Sequence, residues 1–325
     1  MSPQRRKQSR SSGASSGAAQ AAYPRDLIGY GGKLPDPKWP GGARLALQVV
    51  MNYEEGGERS ILHGDKEAEA YLQEVVGLPA LPGVRNLQVE SMYEYGSRVG
   101  FWRLMRTFAS YGIKISVFAV AMALERHPEA AAAIVEAGHE VVSHGWKWID
   151  YQYVAEKVER DHIRHAIESL TRVTGSRPLG WYTGRLSPNT RRLVVEEGGF
   201  LYDADAYNDD LPYWTVVSGK PHLVVPYTLD VNDMKFGLPG GFATGDEWLA
   251  HARDAFDVLY TEGADHPKMM SVGLHMRLMG RPGRTAALAR FFDYVERHDH
   301  VWICRRVDIA RHWIEQHPYR PGTTS

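Results

Sequence analysis

The sequence has only one cysteine among its 325 residues, Cys304. A single thiol cannot form a disulfide within the chain, which fits either a reducing compartment such as the cytoplasm or simply a fold that needs no covalent cross-links. Cys304 ends the apolar run Val301–Cys304, where a buried thiol is more common than a reactive nucleophile. We therefore predict a cytoplasmic protein in which Cys304 is buried and structural.

A large net charge and long apolar runs are also missing. The formal net charge is −1 at pH 7, so no bulk attraction to nucleic acid or to an anionic membrane is expected. The apolar runs have the length of strands, well below the roughly 20 residues of a membrane-spanning helix. The composition, with 43% apolar and 24% charged residues, is that of a globular protein without nucleic-acid or membrane partners.

Acidic residues are absent from residues 1–22, which are rich in Ser, Ala and Gly. The basic residues of this segment are Arg5, Arg6, Lys7 and Arg10. This composition favours a disordered tail, because it offers little apolar surface to bury. The alternative is an organelle transit peptide, which is also Arg- and Ser-rich, but the segment lacks an apolar face. We predict a tail at 1–22 and one catalytic domain at 23–320.

Strand-like and helix-like segments alternate along most of the chain. The first strand, Ala43–Met51, is mostly apolar, and an irregular stretch follows it to about Ser91. Helices are predicted at 96–111 and at 188–197, the latter with Ser187 as its N-cap. Further strands are predicted near 115–120, 139–143, 179–182, 201–203, 223–227, 269–274 and 301–304. This alternation predicts an α/β fold of about seven to eight parallel strands.

No Gly-x-Gly-x-x-Gly segment follows the first strand, so a dinucleotide-binding sheet is not supported. Polar and aromatic residues instead follow several predicted strands directly, at Asn52–Glu55, His144, Trp181–Gly184, Asp203–Asp210, Asn232–Asp233 and His275. In a (β/α) barrel such positions converge on one face. We therefore predict a distorted (β/α) barrel that carries its site on that face.

Glu54 and Glu55 form the first candidate group of the site. Adjacent carboxylates are common on solvated surfaces, but this pair follows a strongly apolar strand. In a pocket, burial and mutual repulsion would raise the pKa of one of them toward neutrality and produce a base able to activate water. The sequence leaves open which of the two is the base.

Other candidates follow later strands. His275 is placed as a general acid, and Arg277 is suited either to orient a polar substrate or to pair with acids. A lone histidine such as His144 is more often structural than functional. Trp181 and Tyr182 lie in a Gly-rich loop that suits a pocket wall, or else a core aromatic and a turn.

The two-acid loop, the Ser143–Gly145 segment, the Trp181–Gly184 loop and the Leu274-His275 pair occur in an order that resembles the polysaccharide deacetylase (NodB-homology) superfamily. The resemblance implies a hydrolase with a distorted (β/α) barrel. Against the first motif of that superfamily, Thr-Phe-Asp-Asp, Glu54 matches the base and Glu55 a metal ligand. His144 then matches the first metal histidine, and His275 matches the general acid.

Two positions depart from the metal-dependent pattern of that superfamily. Trp148 stands where the second metal histidine is expected, and Gly180 replaces an arginine of the third motif. Indole cannot ligate zinc, and the remaining two ligands are fewer than the three of a catalytic zinc site. We therefore predict neither a metal nor another cofactor.

Longer motifs resemble one branch of the superfamily, the metal-independent bacterial allantoinases. They extend over about residues 23–319 and comprise Tyr23–Tyr30, Asn52–Arg59, Leu62–Asp65, Tyr93–Arg98, Gly180–Arg185, Asp209–Trp214, Pro226–Leu229, Asn232–Met234 and Leu278–Pro282. The resemblance implies hydrolysis of the cyclic amide of allantoin to allantoate in purine catabolism, by a homotetramer. The candidates for contacts with this cyclic ureide are His144, Trp148, Trp181, Tyr182, Asn232, Asp233 and Arg277.

Two other kinds of function stay open at this point. One is a metal-dependent N-deacetylase of polysaccharide or peptidoglycan, or a related cyclic imidase, because these enzymes share the superfamily. The other is an inactive barrel that binds a small molecule or carbohydrate, since a fold alone does not establish an activity.

Overall fold

The computed structural model describes residues 24–75 and 77–321, so the predicted tail at 1–22 lies outside the described residues. The strands of this part are β1 Leu45–Tyr53, β2 Ser116–Ala119, β3 Glu140–Ser143, β4 Gly180–Trp181, β5 Tyr202–Asp203, β6 Tyr213–Val217, β7 Lys220–Val224, β8 Val231–Asn232, β9 Lys268–His275 and β10 Val301–Cys304. The α-helices are α1 Leu87–Tyr95, α2 Phe101–Ser110, α3 Ala121–Glu125, α4 Pro128–Glu136, α5 Glu156–Thr174, α6 Thr190–Glu197, α7 Gly245–Glu262, α8 Pro282–Val295 and α9 Arg306–Gln316. Within these described ranges, no helix combines the length and the apolar character needed to cross a membrane.

All of these strands join one sheet in the order β6-β7-β5-β4-β3-β2-β1-β9-β8, and β10 also pairs with β1. β1 is the seventh strand in that order and pairs with three other strands. Strand β9 follows one edge of β1, and β10 and β2 share the other edge, at Leu45–Gln48 and Val50–Tyr53. Among the described strands, only the pairing of β6 with β7 is antiparallel. The predicted α/β fold with a mostly parallel sheet is therefore confirmed.

The sheet curls so that strands distant in the sheet order approach each other. Strands β5 to β2 separate β7 from β1, yet the buried Arg306 bonds both Gln48 on β1 and the carbonyl of Val225 after β7. The Met269 amide of β9 also donates to the Asp210 carbonyl, before β6, at 3.0 Å. In the described part of the chain no pairing joins β8 to β6, so the strand path is open, as in a distorted barrel.

Side chains along β1 alternate between the two faces of the sheet. Odd-numbered residues from Leu45 to Met51 pack in the larger apolar cluster, together with helix residues. Ala46 and Val50 belong to the cluster on the opposite, inner face. Each buried Val, Leu or Met side chain of β1 contributes about 1.5–3 kcal/mol. The even-numbered positions therefore face inward, and Glu54 continues that phase just beyond the strand.

Several predicted elements need correction. Helix α1 begins at Leu87, inside the stretch predicted to be irregular. The helix predicted at 96–111 is a π-helical turn at Gly96–Gly100 followed by α2. Helix α6 begins at Thr190, later than predicted, because the Ser187 hydroxyl accepts from the Asn189 amide at 2.9 Å and forms a turn before the helix.

Cys304 is buried at the end of β10. Its Sγ lies 3.9 Å from the carbonyl oxygen of Leu47 on β1, and burial raises the pKa of the thiol. The thiol is therefore a packed part of the core, as the sequence predicts.

Candidate active site

Three parallel strands bring the predicted residues together at their carboxyl ends. Glu54 and Glu55 follow β1, and His275 ends β9 in register with Asn52 of β1. His144 follows β3, and its amide donates to the last carbonyl of β2 at 2.8 Å. The side chains are enclosed, since Glu54 is 1%, Glu55 5%, His144 2% and His275 4% exposed. The strand-end positions therefore form one buried cluster, which is the candidate site.

The carboxylate of Glu54 lies at the centre of this cluster. Its Oε1 is 3.4 Å from Nε2 of His144 and 3.5 Å from Nε2 of His275. Its Oε2 accepts a hydrogen bond from Nη2 of Arg277 at 2.7 Å. Burial alone would raise the pKa of Glu54, but the charges of His275 and Arg277 outweigh it and hold that pKa well below its usual range. Glu54 is therefore ionised at neutral pH.

Asp233, directly after β8, orients the ring of His275. Its Oδ1 lies 2.6 Å from Nδ1 of His275, and its Oδ2 accepts from the amides of His275 and Met279 at 2.7 and 3.0 Å. Nε2 of His275 is left to face Glu54. Burial would lower the pKa of His275, but the charges of Glu54 and Asp233 raise it to about 9. His275 is therefore a protonated donor at neutral pH.

Glu55 connects two loops of the site. Its Oε2 accepts from the Glu54 amide at 3.1 Å, and its Oε1 accepts from the amide and Nη1 of Arg277 at 3.1 and 3.3 Å. Burial raises the pKa of Glu55; Arg277 opposes this rise and the charge of Glu54 adds to it. Both oxygens of Glu55 are thus directed at backbone amides, in contrast to those of Glu54.

Arg277 forms one wall of the site and is 1% exposed. Its Nε donates to the carbonyl of Leu72 at 2.7 Å. The guanidinium lies 4.2 Å from the ring centroid of Tyr93 and 5.2 Å from that of Trp148, within the range of cation–π contacts. Arg277 therefore ties the carboxylate pair to Leu72, in the long segment that follows β1.

Aromatic rings form the other wall. The ring of Tyr182 lies 4.9 Å from that of His144, between centroids, and packs against Phe118 at 4.6 Å. Nδ1 of His144 is buried and has no hydrogen-bond partner among the described residues. The guanidinium carbon of Arg185 lies 3.9 Å from the ring centroid of Trp148. Because buried polar atoms are nearly always paired, the Nδ1 of His144 is an available contact for a ligand.

Two predicted contacts do not join this cluster. Trp181 faces away from it, packs edge-on against Phe200 at 5.4 Å and belongs to the helix-facing core. Strand alternation places its neighbour Tyr182 inward instead. The amide of Asn232 is occupied within the fold, since its Nδ2 donates to the Tyr227 hydroxyl at 3.1 Å and its Oδ1 accepts from a backbone amide.

Several residues of the site were not predicted as part of it. Leu72 and Tyr71 come from the long segment after β1, and Tyr71 stacks on Trp148 at 6.1 Å. The length of that segment was the available signal, since long loops within a domain are often functional. Gly96 approaches so closely that an added Cβ would lie 2.9 Å from the amide nitrogen of Arg277. The sequence gives no comparable signal for this last contact.

The side chains around Glu54 do not fit a metal ion. Among residues 24–75 and 77–321, no group of three or more His, Cys, Asp or Glu side chains is arranged to hold one. Trp148, at the place of the second metal histidine, offers no lone pair for zinc. The guanidinium of Arg277 instead bonds both Glu54 and Glu55. A side-chain cation thus neutralises the carboxylates.

Comparisons with known proteins identify the family. Residues 86–198 match the model of the polysaccharide deacetylase family. A Schizosaccharomyces pombe protein named for that family is 43% identical over 316 residues, which are 91% of this chain and 98% of that protein. The chain belongs to the polysaccharide deacetylase family. It is a hydrolase of that superfamily and acts on C–N bonds.

Two solved structures are similar over nearly the whole chain. One is a Pseudomonas aeruginosa PAO1 protein named for the same family, with 60% identity and a TM-score of 0.90 over 92% of this chain and 100% of that chain. The other is Puue allantoinase, with 62% identity and a TM-score of 0.90 over 92% of this chain and 99% of that chain. The predicted membership of the polysaccharide deacetylase superfamily and its α/β fold type are therefore confirmed.

Proposed function

We propose that this protein is an allantoinase, which opens the cyclic amide of allantoin to allantoate without a metal ion. The observation that carries the proposal is the bonding of Arg277 to both Glu54 and Glu55, beside Trp148 in the place of a metal histidine. The similarity to Puue allantoinase along nearly the whole chain supports it. The proposal includes a role in purine catabolism, a cytoplasmic location and a homotetramer.

In this proposal Glu54 rather than Glu55 is the base because of its position. The raised pKa expected of the base from the sequence belongs to Glu55, whereas the pKa of Glu54 is lowered by His275 and Arg277. Oε1 of Glu54 lies between the Nε2 atoms of His144 and His275, where water and substrate would meet. The oxygens of Glu55 are turned to the amides of Glu54 and Arg277, so Glu55 holds the loops in place. Two carboxylates of one motif thus take different tasks because their surroundings differ.

The reaction then proceeds through a tetrahedral intermediate. Water gives one proton to Glu54 while its oxygen forms a C–O bond with the ring carbonyl carbon. The C–N bond breaks as His275 protonates the leaving nitrogen. The proton held by Glu54 crosses to His275, 3.5 Å away, and restores the pair. Without a metal, N–H donors must stabilise the oxyanion, and His144 is the available donor at this centre.

The test is an assay of the purified full-length chain with each allantoin enantiomer, with and without a chelator. We expect allantoate to form at the same rate in both conditions. Glu54→Gln should lower kcat about 100-fold or more, as expected for loss of a general base. The matched control is Glu67→Gln, which removes a partly exposed carboxylate that pairs with Arg59 within the long segment.

Proton release in weakly buffered solution separates the competing functions. Ring opening forms a carboxylate and a neutral ureido group, so one proton appears per turnover. N-deacetylation forms a carboxylate and an ammonium group, so the net release near neutral pH is close to zero. Activity that requires bound zinc, or absence of allantoin turnover, would overturn the proposal. Binding of allantoin without turnover would indicate the inactive barrel.

A further inference from the structure

A cavity of about 410 Å³ lies behind the carboxylate pair, outside the cluster of Glu54 and the two histidines. Its walls include Glu55 and Glu58 from the loop after β1, Tyr93 from α1 and Arg126 after α3. This volume accommodates several water molecules, and its walls offer them many polar partners. The cavity therefore reaches an active-site carboxylate from a side that the proposed reaction does not use.

Glu58 is held at this cavity and is 8% exposed. Its Oε2 accepts from the Gly56 amide at 2.5 Å, and its backbone bridges to Trp148 of the active-site wall. Nδ1 of His63 contacts the Glu58 carbonyl at 2.9 Å. Arg126 in turn lies 2.8 Å from Nε2 of His63, so the loop is fixed from both sides. Within the described residues, no hydrogen bond joins the Glu58 carboxyl to Glu54.

The proposed ring opening leaves one excess proton in a closed site. After the Glu54–His275 pair is restored, the new carboxylic acid of the product ionises, and its proton has to leave. Glu54 and His275 are almost fully buried, and Arg277 blocks Glu54 on one side. A reaction that repeats this step needs a path for the proton to bulk solvent.

We propose that Glu58 and the cavity behind Glu55 form this path, with Glu58 as the relay residue between the active site and solvent. The inference rests on the proposed ring-opening reaction. The proton passes from the new carboxylic acid of the product to Glu54 and on to the adjacent Glu55, which lines the cavity. It then moves through cavity water to Glu58, which releases it to bulk solvent. Only O–H bonds form and break along this path, and each carboxyl group returns to its starting state.

The electrostatics around Glu58 suit a relay. Burial, with the charge of Glu55 adding to it, raises the pKa of Glu58 to about 7, although the Gly56 amide and Arg277 act in the opposite direction. The other charged or titratable groups that line the cavity are Tyr53, His63, Arg85, Glu90, Tyr93, Glu94, Arg98, Arg126 and His127. A carboxyl group that titrates near the ambient pH both accepts and releases a proton readily.

The test is the variant Glu58→Gln, whose side-chain carbonyl can still accept from the Gly56 amide. We expect its kcat for allantoin to fall about tenfold in dilute buffer and to recover in concentrated imidazole, a small proton carrier that fits the cavity. The matched control is Glu94→Gln, because Glu94 lines the same cavity but is exposed and pairs with Arg98 at 3.8 Å. The kcat values of the control and of the wild type should not change with buffer concentration.

Each outcome decides a separate question. A wild type without allantoin turnover overturns the proposed function, and the relay with it. A normal wild type with Glu58→Gln fully active in dilute buffer overturns the relay alone, as does a loss that imidazole does not restore. If Gln at this position prevents folding, Glu58→Asp keeps a carboxyl group, and we expect its kcat to respond to imidazole less than twofold; a larger response contradicts the relay.

Discussion

At the scale of single residues, the site depends on how each ionisable group is surrounded. Asp233 and Glu54 both lie near the ring of His275, at 2.6 and 3.5 Å. Their negative charges keep a proton on a histidine whose burial alone would remove it. His275 is therefore protonated at physiological pH and faces Glu54, which fits its proposed role as general acid.

This arrangement predicts the alkaline limit of activity. His275 has a pKa of about 9, so kcat/KM should fall as the pH rises through about 9 and the acid loses its proton. Asp233→Asn removes one of the charges that raise this pKa. We expect the alkaline limb to move to lower pH by about one unit or more. The measurement is the pH profile of kcat/KM for allantoin.

The chain offers a control in a second Asp–His pair. Asp230 contacts His251 at 3.0 Å, but both side chains are more than one-third exposed. Asp230→Asn should leave the alkaline limb unchanged. If the folded Asp233→Asn variant shows an unshifted profile, the ionisation of a group other than His275 sets the alkaline limb.

The residues of the site were predictable to different degrees. Glu54, His144 and His275 were predicted because each follows a strand and matches a motif. Trp181 was misplaced because a two-residue strand gives no alternation pattern from which to read its face. Asp233 was named, but its contact with His275 lies 42 positions away, and sequence patterns do not show such a pairing.

At the scale of elements, the π-helical turn Gly96–Gly100 matters most for the site. It joins α1 to α2 and lies against the loop that follows β9. A Cβ at Gly100 would overlap the Met276 carbonyl oxygen, and one at Gly96 would overlap Glu55. Such turns occur frequently at functional sites, and here glycine permits the approach of two backbones.

Gly100→Ala should therefore destabilise the protein. We expect a loss of about 1–3 kcal/mol in the free energy of unfolding, as for overpacking in a core, measured by urea denaturation. The matched control is Gly283→Ala in α8, where nothing lies within 4 Å of the added Cβ. That change should be neutral or stabilise by up to about 1 kcal/mol, because alanine favours helix. Equal effects of the two changes would contradict the close approach.

The elements that local pattern specifies were predicted well, and those that depend on distant contacts were not. Strand β10 is apolar and short, and its bounds match the prediction. Helix α1 was missed because only Val89 and Tyr93 are buried along it, which gives a weak periodic pattern. Strand β6 was missed because its residues are half-exposed, and it is held by pairing with β7.

At the scale of the whole molecule, Arg306 holds the curled sheet together. The side chain is fully buried and bonds Gln48 on β1 and the carbonyls of Val225 and Pro226 after β7. Its backbone amide also donates to Ser116 of β2 at 2.8 Å. A buried guanidinium thus spans strands that do not pair with one another. The mostly parallel α/β sheet was predictable from the strand–helix alternation, but this cross-connection was not.

Arg306→Met should leave those acceptors unpaired. Unsatisfied buried groups cost about 1–3 kcal/mol each, so we expect a loss of at least about 3 kcal/mol in the free energy of unfolding. Arg311 lies on the exposed face of the same helix, and Arg311→Met should change stability by less than about 0.5 kcal/mol. Urea denaturation measures both variants, and similar values would contradict the bridging role of Arg306.

The burial of Cys304 has a practical consequence for spectroscopy. Because this is the only thiol of the chain and it is packed in the core, a native fold presents no competing target for maleimide reagents. A cysteine introduced at Val75, which is 37% exposed on the segment that bonds Arg277, would carry a label at a single defined position. The wild-type background is thus already suited to fluorescence or spin-label studies of how a substrate reaches the enclosed carboxylates.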